Sequence, residues 1–238
     1  MPSSPSTSRN TPAWRRTTCA DPQDRWQQRL LPTRKATARW LFAFYLVAVP
    51  HLALSLIVFY ALHSVLAWTG VKQWAAATLG LDRWYRLIYT LVSLGLSALV
   101  LIAYGAIPTG GVLFPSTPLL TVAGWSLMVG GGLLAAVAVL RVGGAGFLGL
   151  SPERATGLIR TGLHGRMRHP IYTGVIAVAL GWLLLGCTPE KLLVVGITFV
   201  YLPIGIHLEE RKLIATFGEA YRRYRREVPA LWPRWHTT

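Results

Sequence analysis

The chain has 238 residues, of which 53% are apolar and 14% are charged, and its net charge is +15. Ordinary soluble domains carry about 25% charged residues, whereas residues 40–71 and 87–140 of this chain contain no Asp, Glu, Lys or Arg. Uncharged apolar runs of this length exclude a soluble fold and predict an all-α integral membrane protein.

The positive charge does not indicate a nucleic-acid partner. The basic residues flank the apolar runs, as the positive-inside rule and contact with anionic lipid head groups require. The two cysteines, Cys19 and Cys187, are too few for a disulfide framework, and the six histidines show no metal-ligand spacing. We therefore expect the lipid bilayer as a partner and expect no metal site.

The N-terminal segment, residues 1–38, is rich in Ser, Thr, Pro and Arg and predicts a disordered basic arm. Residues 39–141 then predict the N-terminal transmembrane helices. Glycines at 130–132 would let a neighbouring helix approach closely. About five transmembrane helices are predicted in all, at roughly 40–68, 87–107, 119–140, 170–186 and 191–208.

The last two predicted spans are short and are joined at Thr188 and Pro189, and the proline is well placed to begin a helix. This pattern predicts a C-terminal helical hairpin, which follows a glycine-rich loop at 141–169. From Glu209 onward the chain is basic and amphipathic. It predicts a cytoplasmic tail that lies along the membrane surface.

Lysine and arginine are distributed unevenly between the predicted loops. Three lie in 69–86, five in 141–170, seven from Arg211 onward, and none in 108–118. The basic side is therefore predicted to be cytoplasmic, in an inner or plasma membrane. Five spans would place the basic arm on the opposite side. Three explanations stay open: a re-entrant or doubled first segment, a non-native arm, or a different number of spans.

Two polar segments, 161–174 and 207–229, bracket the predicted hairpin. Because one helix crosses and the next returns, the two segments should meet at the same membrane face. Glu209 and Glu210 have two interpretations there. They form interfacial salt bridges with nearby arginines, or one carboxylate binds the ammonium group of a small ligand.

His169 and Tyr172 lie one helical turn apart and share a face at the start of the hairpin. This pair also has two interpretations. It belongs to a ligand site, or it is part of the aromatic belt that membrane proteins carry at the interface.

The strings RHPIYTG, EERKL and FGEAYRRYRREVP, which begin at Arg168, Glu209 and Phe217, resemble the C-terminal signature of the isoprenylcysteine carboxyl methyltransferase family. Phospholipid methyltransferases, methanethiol methyltransferases and NnrU-like membrane proteins share this broad group. The resemblance covers about residues 158–234. It is weaker over 52–105, where ALHSVLA and RWYRLIY occur, and absent from 1–38.

The resemblance implies that residues 142–238 bind S-adenosylmethionine at the cytoplasmic face. The implied cofactor-binding residues are Thr161, Gly162, Leu163, Arg168, His169, Tyr172, Gly174, Glu209, Glu210, Tyr221 and Tyr224. In this scheme 161–163 give backbone contacts near the adenosine, Gly174 allows a close helix approach, and Glu209 or Glu210 holds the amino group. Tyr221 and Tyr224 close the pocket. This chain departs from its relatives at His164, where they often carry tyrosine.

The implied activity is S-adenosylmethionine-dependent methyl transfer to a small, apolar or lipid-linked acceptor that enters from the bilayer. Alignment and desolvation would supply most of the rate. His169 and Glu210 are the candidate catalytic residues, which take the proton if the acceptor is an amine or a thiol. Two alternatives are an NnrU-like membrane factor without enzymatic activity and a sterol-reductase-like enzyme that uses NADPH. The acceptor and the oligomeric state stay open.

Overall fold

The computed structural model of the protein describes residues 34–81, 84–108, 111–144 and 157–233, with side chains from Tyr45 onward. Two compact units divide the chain, Met1–Ala43 and Phe44–Thr238, and the second contains all the packing described below. In the described residues every regular element is an α-helix. The prediction of an all-α membrane protein is confirmed.

Eight helices occur in the described part of the chain. They are α1 (Arg34–Ala67), α2 (Thr69–Leu79), α3 (Tyr85–Gly105), α4 (Pro118–Arg141), α5 (Leu163–Arg166), α6 (Pro170–Leu184), α7 (Pro189–Phe217) and α8 (Glu219–Glu227). The last five residues of the predicted arm, 34–38, are thus helical, and 1–33 lie outside the described residues. Residues 145–156 of the predicted glycine-rich loop also lie outside the described residues.

Four of these helices are long and apolar enough to cross a membrane: α1 from Tyr45 to Ala67, α3, α4 and α7. The fifth apolar helix, α6, has 15 residues. Helix α7 has 29 residues, which is about 44 Å at 1.5 Å per residue. Because the hydrocarbon core is about 30 Å thick, α7 extends well beyond it at one end.

The end of α7 differs from the prediction. The apolar run stops near Leu208, but the helix continues to Phe217 and ends at Gly218, whose φ of 55° is left-handed. Glu209 and Glu210 therefore stand on the same helix that is long and apolar enough to cross a membrane. Some 20 residues from Pro189, they lie about 30 Å along its axis, a distance that matches the thickness of the hydrocarbon core.

The most extensive helix contact is between α4 and α6, so α6 packs mainly on α4 rather than on its predicted hairpin partner α7. A Cβ at Gly174 would lie 2.5 Å from the Gly131 carbonyl oxygen, and one at Gly181 would lie 2.5 Å from that of Gly124. Two close approaches seven residues apart hold the antiparallel helices together. The close approach predicted for 130–132 is confirmed at Gly131.

Helix α7 packs against the N-terminal helices α1 and α3. Leu52 and Leu56 of α1 are buried with Ile107, which follows α3, and Leu193 and Ile197 of α7 pack against them. At the end of the bundle remote from Glu209, the backbone of Phe114 pairs with Cys187. These contacts fix α7 as the element that connects the N-terminal helices with the polar C-terminal segments.

Candidate functional site

The two polar segments meet around the carboxylate of Glu210. Arg168 Nη2 lies 3.0 Å from its Oε1, and Arg225 Nε lies 3.3 Å from its Oε2. His169 Nε2 is 3.3 Å from Oε1. The Glu210 side chain is only 10% exposed, so its charge is neutralised by groups that come from the turn before α6 and from α8. For Glu210, the first of the two interpretations, a salt bridge with a nearby arginine, is present with Arg168, and Arg225 joins it.

Glu209 is in a different environment. Its side chain is 44% exposed, and its Oε2 lies 3.6 Å from His169 Nδ1. The Tyr172 hydroxyl lies near enough for the Glu209 charge to act on it. No arginine faces it among the ion pairs of the described residues. Of the two adjacent carboxylates, one is thus enclosed by cations and the other is open to a ligand.

His169 lies between these carboxylates and is 3% exposed. Its ring meets that of Tyr172 edge to face, with 5.6 Å between centroids. Pro170, as the first residue of α6, fixes where this helix begins. The pair that the sequence predicted to share a helix face is therefore part of the cluster.

The chain end holds the turn before α6 in place. The backbone N–H of Arg168 donates to the Pro229 carbonyl, and that of His169 donates to the Ala230 carbonyl, each at 2.9 Å. Thr173 Oγ1 donates to the Leu231 carbonyl at 2.8 Å. Residues 229–231 therefore act as a short brace along the site, which satisfies backbone groups that no helix satisfies.

Helix α8 presents its tyrosines inward. Tyr221 is 1% exposed, and its ring contacts that of Tyr224 edge to face. The Tyr224 hydroxyl donates to the His164 carbonyl at 2.6 Å. Burial raises the pKa of Tyr224 to about 12 and also raises the pKa of Tyr221, to which the Glu210 charge adds. Both hydroxyls are therefore protonated near neutral pH and able to donate.

The segment 161–164 forms one rim of the site. Thr161 and Gly162 are exposed, and the half-buried Leu163 begins α5. Gly162 has φ of 64°, and a Cβ there would lie 2.9 Å from Arg141 Nη1 at the end of α4. The conformation requires a glycine here, whereas the Arg141 guanidinium stands at the end of a flexible side chain that can shift. The structure places these residues beside the cluster.

His164, where the chain departs from the implied signature, is half-buried in this rim. Burial lowers its pKa, and the nearby Glu209 carboxylate partly opposes this. Gly174 lies elsewhere: it faces Gly131 and Ala135 of α4. Its predicted part in cofactor binding can thus only be indirect, through the position of α6.

Three arginines were not singled out from the sequence. Arg225 binds Glu210; Arg160 donates to the Ala220 carbonyl and lies over the Tyr224 ring; Arg141 contacts Gly162. Arg225 shares a face with Tyr221 four residues earlier, so helical periodicity in α8 gives a signal for it. Arg141 and Arg160 carry no comparable local signal because their partners lie in distant segments.

Four buried side-chain polar atoms of the described residues have no hydrogen-bond partner, and three of them belong to this site: Arg168 Nε, His164 Nδ1 and Tyr221 Oη. Buried polar groups are nearly always hydrogen-bonded in folded proteins. Three such atoms around one cluster indicate a place for a polar ligand. The described residues contain no group of three His, Cys, Asp or Glu that could hold a metal ion.

Comparison with known proteins gives a consistent picture. A family model described as NnrU protein matches residues 51–236. Methanethiol S-methyltransferase 1 of Bradyrhizobium diazoefficiens is 42% identical over 71 residues, which are 30% of this chain and 24% of the relative. The methanethiol S-methyltransferase of Crocosphaera subtropica is 40% identical over 67 residues, 28% of this chain and 26% of the relative.

A protein-S-isoprenylcysteine O-methyltransferase of Schizosaccharomyces pombe is 35% identical over 74 residues, which are 31% of each chain. The chain thus spans less than a third of the length of these curated relatives in each match. No solved structure matches it significantly.

Proposed function

The chain belongs to the NnrU protein family, and from this premise we propose that it is an integral membrane methyltransferase that uses S-adenosylmethionine. The acceptor would be a small, apolar or lipid-linked molecule. The observation that carries the proposal is the cluster of Glu209, Glu210 and His169, with three unpartnered buried polar atoms around it. The relatives named as methyltransferases support it.

The residues present fit this cofactor, which would supply a methyl group on a positively charged sulfur. Glu209, open and without an arginine partner in the described residues, would bind its ammonium group. The unpartnered Nε of Arg168 and the hydroxyl of Tyr221 would donate to its carboxylate. Backbone groups of 161–163 would lie along the adenosine. Glu210 and His169 would keep the two arginines and Tyr172 in place.

The rate of methyl transfer would come from the alignment of the cofactor with the acceptor rather than from proton transfer at this cluster. Edge-to-face rings and the 229–231 brace hold His169 and Tyr172 rigidly, and Tyr221 is sealed from water. An acceptor that arrives between the spans would meet the cofactor in a site from which water is excluded. The excess of Lys and Arg on the loops of this face supports a cytoplasmic position in an inner or plasma membrane.

Cofactor binding tests the proposal. The protein, purified in detergent, is titrated with S-adenosylmethionine and with NADPH by calorimetry, and only the first should bind saturably. Glu209→Gln should weaken that binding by about tenfold or more, as expected for a charged hydrogen bond. Glu219→Gln is the matched control, because Glu219 is 74% exposed and its ion pair in the described part of the chain is with Arg222, three residues on.

Any other binding result would contradict the proposal and would favour one of the two alternative functions. Binding of NADPH alone would favour a reductase, and binding of neither would favour a membrane factor without enzymatic activity. A protein that binds S-adenosylmethionine is then assayed for transfer of a labelled methyl group to small thiols, membrane lipid extracts and a prenylcysteine analogue.

A further inference from the structure

A second polar cluster lies inside the bundle, where the two weaker N-terminal motifs meet α7. The Tyr60 hydroxyl lies 2.8 Å from Thr198 Oγ1, and Ser64 Oγ lies 2.8 Å from the Tyr201 hydroxyl. The rings of Tyr60 and Tyr201 stack with 4.1 Å between centroids. These contacts connect α1 to α7 within segments long and apolar enough to cross a membrane. Polar side chains at such a depth are costly and indicate function.

His63, next to Ser64 in the chain, joins α1 to α3. Its Nε2 lies 3.0 Å from the Tyr89 hydroxyl, and its Nδ1 lies 3.3 Å from Ser93 Oγ. His63 belongs to the string ALHSVLA of α1, and Tyr89 belongs to RWYRLIY, which leads into α3. The two motifs therefore form one imidazole–phenol pair. None of the roles proposed above for cofactor binding involves this pair.

The polar cluster is continuous with the cofactor cluster along one face of α7. Tyr201, Gly205 and Glu209 follow each other at intervals of four residues, which places them on one face of the helix. A Cβ at Gly205 would lie 3.2 Å from the Tyr172 hydroxyl and 3.3 Å from the Tyr201 ring.

The absence of a side chain at Gly205 thus lets Tyr172 reach the α7 backbone between the two clusters. Glu209, Tyr201 and Tyr89 are among the titratable groups that act on Tyr172. Tyr172 is thus near both the Glu209 carboxylate and Tyr89, the residue that contacts His63.

We propose that His63, Tyr89 and Tyr201 form the subsite for the methyl acceptor, and that His63 takes a proton from it. This inference rests on the methyltransferase function proposed above. A carboxylate acceptor has no proton to lose, and an alcohol holds its proton too tightly for an imidazole. An amine is protonated near neutral pH and would carry its charge between apolar helices. A thiol, with a pKa of about 8.5 against about 6.5 for histidine, is neutral and can lose its proton to an imidazole. The acceptor class is therefore a small neutral thiol.

The transfer balances as follows. The S–H bond of the acceptor breaks, and its proton goes to a ring nitrogen of His63. The acceptor sulfur uses its electron pair to form the new S–CH3 bond. The bond between the methyl carbon and the donor sulfur breaks, and its electron pair stays on that sulfur. The products are two neutral thioethers and one proton, which the imidazole releases to water. Tyr89 holds the ring in position through its hydroxyl.

Two variants and a matched control test this subsite. His63→Gln should lower kcat for a small alkanethiol about 100-fold, the usual range for loss of a general base. Tyr89→Phe should lower it about fivefold, as for one lost hydrogen bond. His51→Gln, on the same helix but exposed and, within the described residues, hydrogen-bonded only to the Val47 carbonyl, should match the wild type. All three should bind S-adenosylmethionine with the wild-type Kd.

An acidic aromatic thiol separates proton transfer from a structural role. 4-Nitrothiophenol is already ionised at neutral pH, so His63→Gln should lower its rate by about tenfold or less. Equal losses with both thiols, or wild-type rates with the alkanethiol, would overturn the assignment of His63. If His63→Gln loses cofactor binding, Tyr89→Phe is compared with the wild type on the same two thiols. Equal losses with both thiols, or wild-type rates with the alkanethiol, would then overturn the assignment of His63.

Failure of the subsite and failure of the function give different results. Wild-type protein that methylates a prenylcysteine carboxylate but no thiol would overturn the acceptor class alone. Wild-type protein that binds no S-adenosylmethionine would overturn the proposed function, and the subsite with it.

Discussion

His169 and Glu210 lie 3.3 Å apart although 41 residues separate them in the chain. The first precedes α6, and the second stands in the C-terminal half of α7. The contact therefore depends on both helices having the right length and tilt. The position of the proposed cofactor site is therefore determined by how the apolar helices are arranged.

The two adjacent glutamates should differ in their effect on stability. Glu210→Gln leaves Arg168 and Arg225 without a counter-charge in a mostly buried site, and should lower the free energy of unfolding by about 2 kcal/mol. Glu209→Gln should lower it by about 1 kcal/mol or less, because its side chain is 44% exposed. Thermal unfolding of the ligand-free protein in detergent measures both, and equal effects would contradict the assignment of roles.

The three consecutive glycines of α4 should respond differently to alanine. Gly131→Ala would place a Cβ 2.6 Å from the Gly174 carbonyl oxygen, and should cost about 1–3 kcal/mol through overpacking. Gly132→Ala meets nothing within 4 Å and should be neutral or stabilising, because alanine favours helix. Thermal midpoints of the two variants, measured side by side, test whether α6 packs on α4 as described.

The two tyrosines of α8 allow a similar comparison. Tyr224→Phe removes the hydrogen bond to the His164 carbonyl and should lower the free energy of unfolding by about 1 kcal/mol. Tyr221→Phe removes a buried hydroxyl that has no partner among the described residues, so ligand-free stability should stay the same or rise. It should weaken S-adenosylmethionine binding, and calorimetry would contradict this if the Kd were unchanged.

The stability of the ligand-free protein should depend on pH through His164. Burial lowers its pKa in the folded state, and Glu209, His169 and Arg141 are the other groups that act on it. A lowered pKa means that the unfolded state binds the proton first. The contribution of His164 is therefore complete above pH about 6.5 and is lost as pH falls below that value.

His164→Gln should accordingly lose less thermal stability than the wild type between pH 7.5 and pH 5.5. His207→Gln, whose side chain is exposed on α7, should behave as the wild type. A His164→Gln protein with an unchanged pH profile would show that this histidine does not contribute.

The sequence predicted the meeting of the two polar segments, because a helix that crosses the membrane and one that returns must bring their ends to one face. It also predicted the start of α7 at Pro189, which Thr188 caps by accepting from the Lys191 N–H. These predictions rest on local chemistry and on the thickness of the bilayer, and both are readable from one chain.

The partner of α6 could not be predicted in this way. A helix that is apolar on all faces has no amphipathic side to indicate where it packs. Only the spacing of Gly174 and Gly181, matched to Gly124 and Gly131, carries that information. The end of α7 was placed too early because apolar residues give way to polar ones near Leu208, whereas the helix ends only at Gly218.

The pairing of His63 with Tyr89 was likewise not readable from the sequence. Both residues lie in strings that resemble relatives of the family, but their contact joins two helices with no local signal between them. In the cofactor cluster the different environments of Glu209 and Glu210 likewise arise from tertiary contacts that the local sequence does not indicate. Adjacent positions on a helix point about 100° apart, and only the tertiary structure shows which one meets the arginines.

The brace at 229–231 has a consequence for biosynthesis. Because the amides of Arg168 and His169 are satisfied by the carbonyls of Pro229 and Ala230, the cluster cannot be completed while those carbonyls are still inside the ribosome. A nascent chain can insert every span into the bilayer and still lack a finished site. A translation product that stops after α8 would therefore reach the membrane with two backbone amides of the site unpaired.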